Sequence, residues 1–379
     1  MDLKPRFTVI GAGHGGKAMA ADLAVKGFEV TLFNRTPERI NEIALTGEID
    51  LEYSDGSVRS GKLTLVTSNI ADALEGADVI MVVVPASGHG DVARKCAGHL
   101  RKGQIVVLNP GRTGGALEFR RILDQEGCAE GVIVSEAGTF IFVSRSTGPA
   151  QARIFRRKNS VRIAALPSND TQAVIEVLHK AYLQFIPAKS VLNTSLDNMG
   201  TVFHPALTLL NTNWIERTKG DFQFYIDGVT PPISNLLEVI DEERLSVAEA
   251  LGVKSRSALE WLNDAYSAKG DSIYEAIQAN AGYQGLKAPR SIRHRFIFED
   301  VPFSIVPMVM LGRKFGVDMW AMEALAKLAG IMHGRDFFKD GRTMEDMGLD
   351  KLNVDGIKRY VMDGVREQAG NGKSSAKIE

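Results

Sequence analysis

The stretch Gly11-Ala12-Gly13-His14-Gly15-Gly16 constrains this chain more than any other feature. It follows a short apolar run, Phe7-Thr8-Val9-Ile10, and precedes Lys17 to Lys26, where apolar residues recur at helical spacing up to Gly27. Glu29 to Phe33 reads as a second strand, which makes the segment a strand, turn, helix and parallel strand. In a G-x-G-x-x-G turn the first glycine permits the bend, the second lets the backbone approach a pyrophosphate, and the third lets helix pack on strand. Helix-end N–H groups then face the phosphates. Gly11, Gly13 and Gly16, with Ala12, His14 and Gly15 between them, are expected to cradle a nicotinamide dinucleotide.

The end of the second strand bears on which one. An NAD site usually places an acid there for the ribose hydroxyls. This chain has Asn34-Arg35-Thr36 instead, with Arg39 a turn further on. Arg35 can pair with a 2′-phosphate and Thr36 can donate to it, whereas a carboxylate would repel it. The expectation is an NADP(H) preference, with NAD(H) also accepted.

More apolar strands follow. Ala77 to Val84 is continuous and ends at Pro85, and Gln104 to Leu108 ends in Asn109-Pro110-Gly111. Such runs suit strands buried on both faces of a parallel sheet. Val132 to Ser135 follows, and Arg153–Arg157 with Val161–Ala165 reads as a hairpin about Lys158-Asn159-Ser160. Because ligands lie beyond the carboxyl ends of such strands, the loops at Pro85 and Asn109 should line the nicotinamide half of a cleft. From about Ser190 long helical patterns take over: Leu196–Trp214, Leu236–Leu251, Ser257–Ala265, Val306–Phe315 and Ala321–Ile331. The expected architecture is α/β: an N-terminal Rossmann parallel sheet over residues 1–188, then an all-helical catalytic and substrate domain over 189–367. Residues 368–379 read as a flexible tail.

Composition narrows the class. With 379 residues, two domains are the sensible expectation. Lys and Arg number 45 against 46 Asp and Glu, which argues against nucleic acid as partner. The two cysteines, Cys96 and Cys128, form no zinc-spaced cluster and suggest a reducing, cytoplasmic setting without a resident metal. No long apolar run suggests a membrane span.

Two features in the C-terminal half carry chemistry. His204 sits in Asn198-Met199-Gly200-Thr201-Val202-Phe203-His204-Pro205, an otherwise apolar helical stretch. Alone, such a histidine is more often a satisfied core residue; Pro205 suggests a break that would aim the ring into a cleft. Arg295-Phe296-Ile297-Phe298-Glu299-Asp300-Val301-Pro302 gathers a guanidinium, carboxylates and aromatics ahead of a proline.

With these residues the chain, from Val9 to about Leu352, resembles the opine dehydrogenases of the octopine/nopaline type. The likeness runs through the glycine turn, Val83-Val84-Pro85-Ala86, Asn109-Pro110-Gly111 with Thr113-Gly114-Gly115-Ala116-Leu117-Glu118-Phe119-Arg120, Thr194-Ser195-Leu196, His204-Pro205 with Thr208-Leu209-Leu210-Asn211, and Phe298-Glu299-Asp300-Val301. The resemblance implies reversible NAD(P)H-dependent condensation of a 2-oxo acid with the amine of an amino acid through an imine. It implies a homodimer and a His–Asp dyad at His204 and Asp300. It places the substrate-binding arginine at Arg295 and an asparagine at Asn198, and makes Pro85 part of the cofactor loop. The similar NADH-using enzymes carry an acid after the second strand, and Asn34-Arg35 departs from that.

The chemistry agrees with the carry-over. A group titrating near neutrality must handle protons, a carboxylate must hold its tautomer, and an arginine can grip a substrate carboxylate. The nearest rival is an NADP-dependent 2-oxo acid reductase, or 2-hydroxy acid dehydrogenase. Those enzymes commonly use a lysine on the first helix of the second domain, and Ser190 to Trp214 has none.

Overall fold

The computed structural model describes residues 4–266 and 268–366, so the expected tail at 368–379 lies outside the described residues. The strands, in chain order, are β1 Phe7–Ile10, β2 Val30–Phe33, β3 Glu48–Glu52, β4 Val58–Lys62, β5 Leu65–Thr67, β6 Val79–Val82, β7 Ile105–Leu108, β8 Ile133–Ala137, β9 Phe142–Gly148, β10 Gln151–Arg157, β11 Val161–Leu166 and β12 Phe185–Pro187. Eight of them build one sheet in the order β12-β11-β8-β7-β6-β1-β2-β5. Its pairs are parallel except β11 with β8.

The apolar runs β1, β6 and β7 are buried along their whole length, as strands covered on both faces must be. Alternate residues divide between two cores. Val79 and Met81 join the core under the helix His14–Val25. Ile80 and Val82 join the other, which runs on into Val202, Phe203 and Ile305 of the C-terminal half. One apolar core therefore connects the sheet to the helices beyond it.

A second sheet, β4-β3-β10-β9, was not expected. It corrects the hairpin reading of Arg153–Arg157 with Val161–Ala165. β10 pairs with β9 and β3, whereas β11 lies between β8 and β12 in the main sheet. Alternation identified both strands correctly; it could not say that the chain crosses between sheets at Lys158.

From Val191 on, the described residues form helices and the loops between them, with no strand and one isolated bridge, Gln223 with Lys287. The long helix expected over Leu196–Trp214 is three: Val191–Leu196, Met199–Leu210 and Thr212–Thr218. The break falls at Asp197–Asn198 rather than at Pro205, which lies inside the middle helix. A proline there forfeits one backbone hydrogen bond, and the apolar packing of its neighbours keeps the helix going. Among the described residues no helix is long and apolar enough to cross a membrane.

Candidate active site

The glycine turn closes at the carboxyl end of β1. Gly11 has φ +109°, and a Cβ on it would lie 2.5 Å from the Val83 carbonyl oxygen at the end of β6. On Gly16 a Cβ would stand 1.6 Å from the Gly11 oxygen. Gly13, by contrast, would meet nothing within 4 Å. Two glycines are thus demanded by the protein's own backbone, and the middle one faces open space at the N-terminus of the helix His14–Val25. That fits a pyrophosphate approaching the helix end.

Asn34 braces the same turn: its Oδ1 accepts from Ala12 N at 3.1 Å and its Nδ2 donates to the Thr36 oxygen at 2.9 Å. Arg35 is exposed and meets Asp91 at 3.5 Å. Thr36 is partly exposed beside it, and Pro85 is exposed past β6. His14 is the first residue of the helix, and its Nδ1 accepts from Ser146 N at 2.9 Å. Burial, with Arg145, Lys17 and Arg295 nearby, holds its pKa below the ordinary value. Gly15 lies against the Phe140 ring.

Across the cleft, His204 and Asp300 come together: His204 Nδ1 lies 2.9 Å from Asp300 Oδ2. The imidazole stacks on Phe296, centroids 4.1 Å apart, and its side chain remains 21% exposed. Asp300 is fully buried at the start of a π-helical turn, Val301–Ile305. Such turns are rare and occur frequently at functional sites. Burial pushes the Asp300 carboxyl up, but Arg112 and His204 pull it down further, and it sits below the ordinary aspartate value.

The buried Arg112 is the residue that sequence reasoning missed. It reaches from the loop after β7, with φ +60°, and places Nη1 2.9 Å from Asp300 Oδ1 and Nε 3.2 Å from Glu299 Oε1. Glycine at position 200 makes room, since a Cβ there would be 2.8 Å from Arg112 Nη1. A charged side chain in a glycine- and proline-rich loop after a strand end was the only signal in the sequence.

Arg295 places Nε 3.0 Å from Glu299 Oε2 while its side chain is 57% exposed. Among the described residues its terminal nitrogens make no hydrogen bond, so they are free to take an anion. Asn198 is buried and its Nδ2 donates to Ser304 Oγ at 2.9 Å. Its amide N–H is therefore committed to the turn carrying Asp300. His294 caps the helix Arg295–Phe298, accepting from Phe296 N. Burial and the neighbouring Arg295 and His204 push its pKa down to about 4. Tyr283 is buried and stacks on Tyr225.

The two loops expected to line the cleft join its halves. Ala86 N donates to Glu299 Oε1 at 3.3 Å, Thr113 N to the Phe303 oxygen at 3.2 Å, and Gly114 N to Ser195 Oγ at 2.9 Å. Arg342 adds a further tie, donating to Glu118 and to the Thr113 oxygen. His89 is buried beside it, 3.5 Å from Arg342 Nη2, and its ring stays below the ordinary histidine pKa because of burial and the two arginines. Glu136, at the end of β8, accepts from Thr194, Ser195 and Ala116. Burial raises its pKa against those hydrogen bonds.

A dinucleotide turn on one half and a His–Asp pair on the other, with the halves stitched together, suit an NAD(P)-dependent oxidoreductase. Residues 187–333 match the alpha-helical domain of the NAD/NADP octopine/nopaline dehydrogenase model, and residues 6–111 match the N-terminus of NAD-dependent glycerol-3-phosphate dehydrogenase. The chain is 38% identical to an opine dehydrogenase of Arthrobacter sp. (strain 1C), over 94% of this chain and 98% of that one. It therefore belongs to the opine dehydrogenase family, whose members act on a CH–NH bond. Octopine dehydrogenase in complex with NADH and agmatine has the same fold, with a TM-score of 0.80 at 20% identity over 97% of this chain and all of that one. Yersinopine dehydrogenase with NADP+ bound also shares it, with a TM-score of 0.72 at 16% identity over 96% of this chain and 99% of that one.

Proposed function

We propose that this opine dehydrogenase joins a 2-oxo acid to an amino acid with His204 as its proton-handling group, Asp300 as that histidine's partner and Arg295 as a carboxylate grip. The observation that carries the reading is the 2.9 Å contact between His204 Nδ1 and the buried Asp300. An ionised carboxylate only accepts, so the shared proton resides on His204 Nδ1 and Nε2 is left to exchange protons with substrate.

Amine attack on the 2-oxo carbon gives a carbinolamine, and protonated His204 gives its Nε2 proton to the departing hydroxyl, which leaves as water. A reduced nicotinamide cofactor held at the Gly11–Gly16 turn would supply the hydride for the resulting imine carbon. In the reverse direction His204 takes the proton back. Asp300 stabilises the imidazolium that alternates with the neutral ring, and Arg112 keeps Asp300 ionised and in place. Asn198 steadies the turn through Ser304, and its Oδ1 remains an acceptor for a substrate N–H.

We further propose a preference for NADP(H). The strand end itself, Asn34-Arg35-Thr36, carries no carboxylate, Glu38 and Arg39 follow in the turn beyond it, and the Arg35–Asp91 contact is solvent-exposed and weak. The protein is taken to be a cytoplasmic homodimer, on the resemblance and on its free cysteines; light scattering checks the dimer.

One assay tests the function. Oxidation of NADPH and of NADH is followed with pyruvate, 2-oxoglutarate or glyoxylate, with and without amino acids. Amino-acid-dependent turnover with a higher kcat/KM for NADPH is expected. Amino-acid-independent oxidation would instead mark a 2-oxo acid reductase, and a preference for NADH would overturn the cofactor reading.

A further inference from the structure

The structure assigns a second carboxylate-binding position to Lys158 and Thr139, on the sheet side of the cleft, for the carboxylate of the amino donor. The assignment rests on the reading that His204 and Asp300 form the reacting centre and Arg295 takes the 2-oxo acid.

Lys158 stands where the chain leaves β10 for β11. Its backbone N donates to the Ile141 oxygen at 3.0 Å, which fixes the crossing. Its Nζ donates to Thr139 Oγ1 at 2.5 Å. Thr139 lies just past the carboxyl end of β8, the end of the sheet at which ligands bind. The next residue, Phe140, lies against Gly15 of the dinucleotide turn. Arg112, whose guanidinium touches Asp300, is near enough for its charge to act on Lys158. Lys158 is thus tied through Thr139 to the segment that meets the cofactor turn, and it feels the arginine that holds Asp300.

Its charge is not balanced. An ammonium has three donors, and one is used on Thr139. Among the described residues no carboxylate lies within ion-pair distance of Nζ. The charges that act on it are those of Arg112, from the loop after β7, and Arg156, from β10; both are cations. Together with burial they push the Lys158 pKa down to about 8. A largely enclosed cation among cations is unfavourable unless an anion joins it. A lysine kept for structure alone would be expected to pair with a carboxylate or to extend into water.

The reaction brings that anion. Both reactants are α-acids, and their product carries two carboxylates flanking one secondary amine. One cation cannot hold both. Arg112 is committed to Glu299 and Asp300, and Arg295 supplies one position. Lys158 supplies the other, and the Thr139 hydroxyl, which accepts from Lys158, keeps a proton to donate to the same carboxylate.

The test compares an α-amino acid with the amine formed by its decarboxylation, at saturating cofactor and one 2-oxo acid. In the wild type, kcat/KM should favour the amino acid, and the ratio should fall as pH rises through about 8, where free Lys158 loses its proton. Lys158→Met should collapse the ratio by about 10- to 100-fold, the loss of a charge-assisted contact. Cofactor affinity and KM for the 2-oxo acid should stay unchanged. Lys158→Arg should keep the ratio and abolish the break near pH 8, because the guanidinium stays charged. Thr139→Val should lower the ratio in the same direction by less, and it serves if Lys158→Met does not fold. An equal loss on both donors, an unchanged ratio, a raised KM for the 2-oxo acid alone or a wild type indifferent to the carboxylate would each overturn the assignment. His204→Asn run alongside separates the two readings: a collapsed ratio with an active His204→Asn would sink the dyad and leave the subsite standing.

Discussion

The glycine turn belongs to the sheet half of the molecule and the dyad to the helical half, and they are made in opposite ways. The turn is built from consecutive residues, and what it offers a ligand is backbone: N–H groups, a helix end and the open space at Gly13. The dyad is built from side chains 96 residues apart, and its third member, Arg112, pairs with Glu299 across 187 residues. On the proposed reading the turn holds a cofactor without reacting, and the dyad moves protons without holding the cofactor. Binding and chemistry should therefore fail separately.

Gly16→Ala should produce the largest effect. Its Cβ would stand 1.6 Å from the Gly11 oxygen, a backbone atom that cannot move aside. Cofactor binding, read by quenching of intrinsic fluorescence, should vanish; retained affinity would break the contrast between the two halves. Arg112→Met comes next, because it strands Asp300 and Glu299 in the interior. A buried pair broken on one side costs about 3–5 kcal/mol, so Tm and kcat should fall together. Arg295→Ala should raise KM for the 2-oxo acid about 10- to 100-fold with less change in kcat. An unchanged KM would count against the carboxylate grip.

Arg35→Ser should lower the NADPH-to-NADH ratio of kcat/KM by about 10-fold and leave the dyad untouched. The smallest effect is one of pH. His294 titrates near 4 when folded, against an ordinary 6.5, and its ring accepts from Phe296 N only when neutral. Between those values the unfolded chain binds a proton that the folded one does not, so this stability is complete above about pH 6.5 and is lost as pH falls toward 4. His294→Asn, which can still cap the helix, should flatten the dependence of Tm on pH in that window.

The same contrast explains what the sequence disclosed. The turn is local, so spacing alone gave its place and its chemistry, and the buried runs β1, β6 and β7 gave the parallel sheet. β3 and β4 stayed hidden because β4, Val58–Lys62, is exposed at all but one position and shows no apolar alternation. His204 and Asp300 were legible only as separate motifs that a family resemblance joined; nothing in the spacing brings them within hydrogen-bond reach. Arg112 and Lys158 were harder still. Each sits in a short connection, and its role comes from what the fold packs against it.

The most direct test of that separation is His204→Asn, assayed for turnover and for cofactor affinity in the same preparation. Turnover should drop about 100- to 10,000-fold, the usual contribution of a positioned acid–base group, while the dissociation constant for NADPH stays within about twofold of wild type. Near-normal turnover, or a loss of cofactor affinity matching the loss of rate, would contradict it.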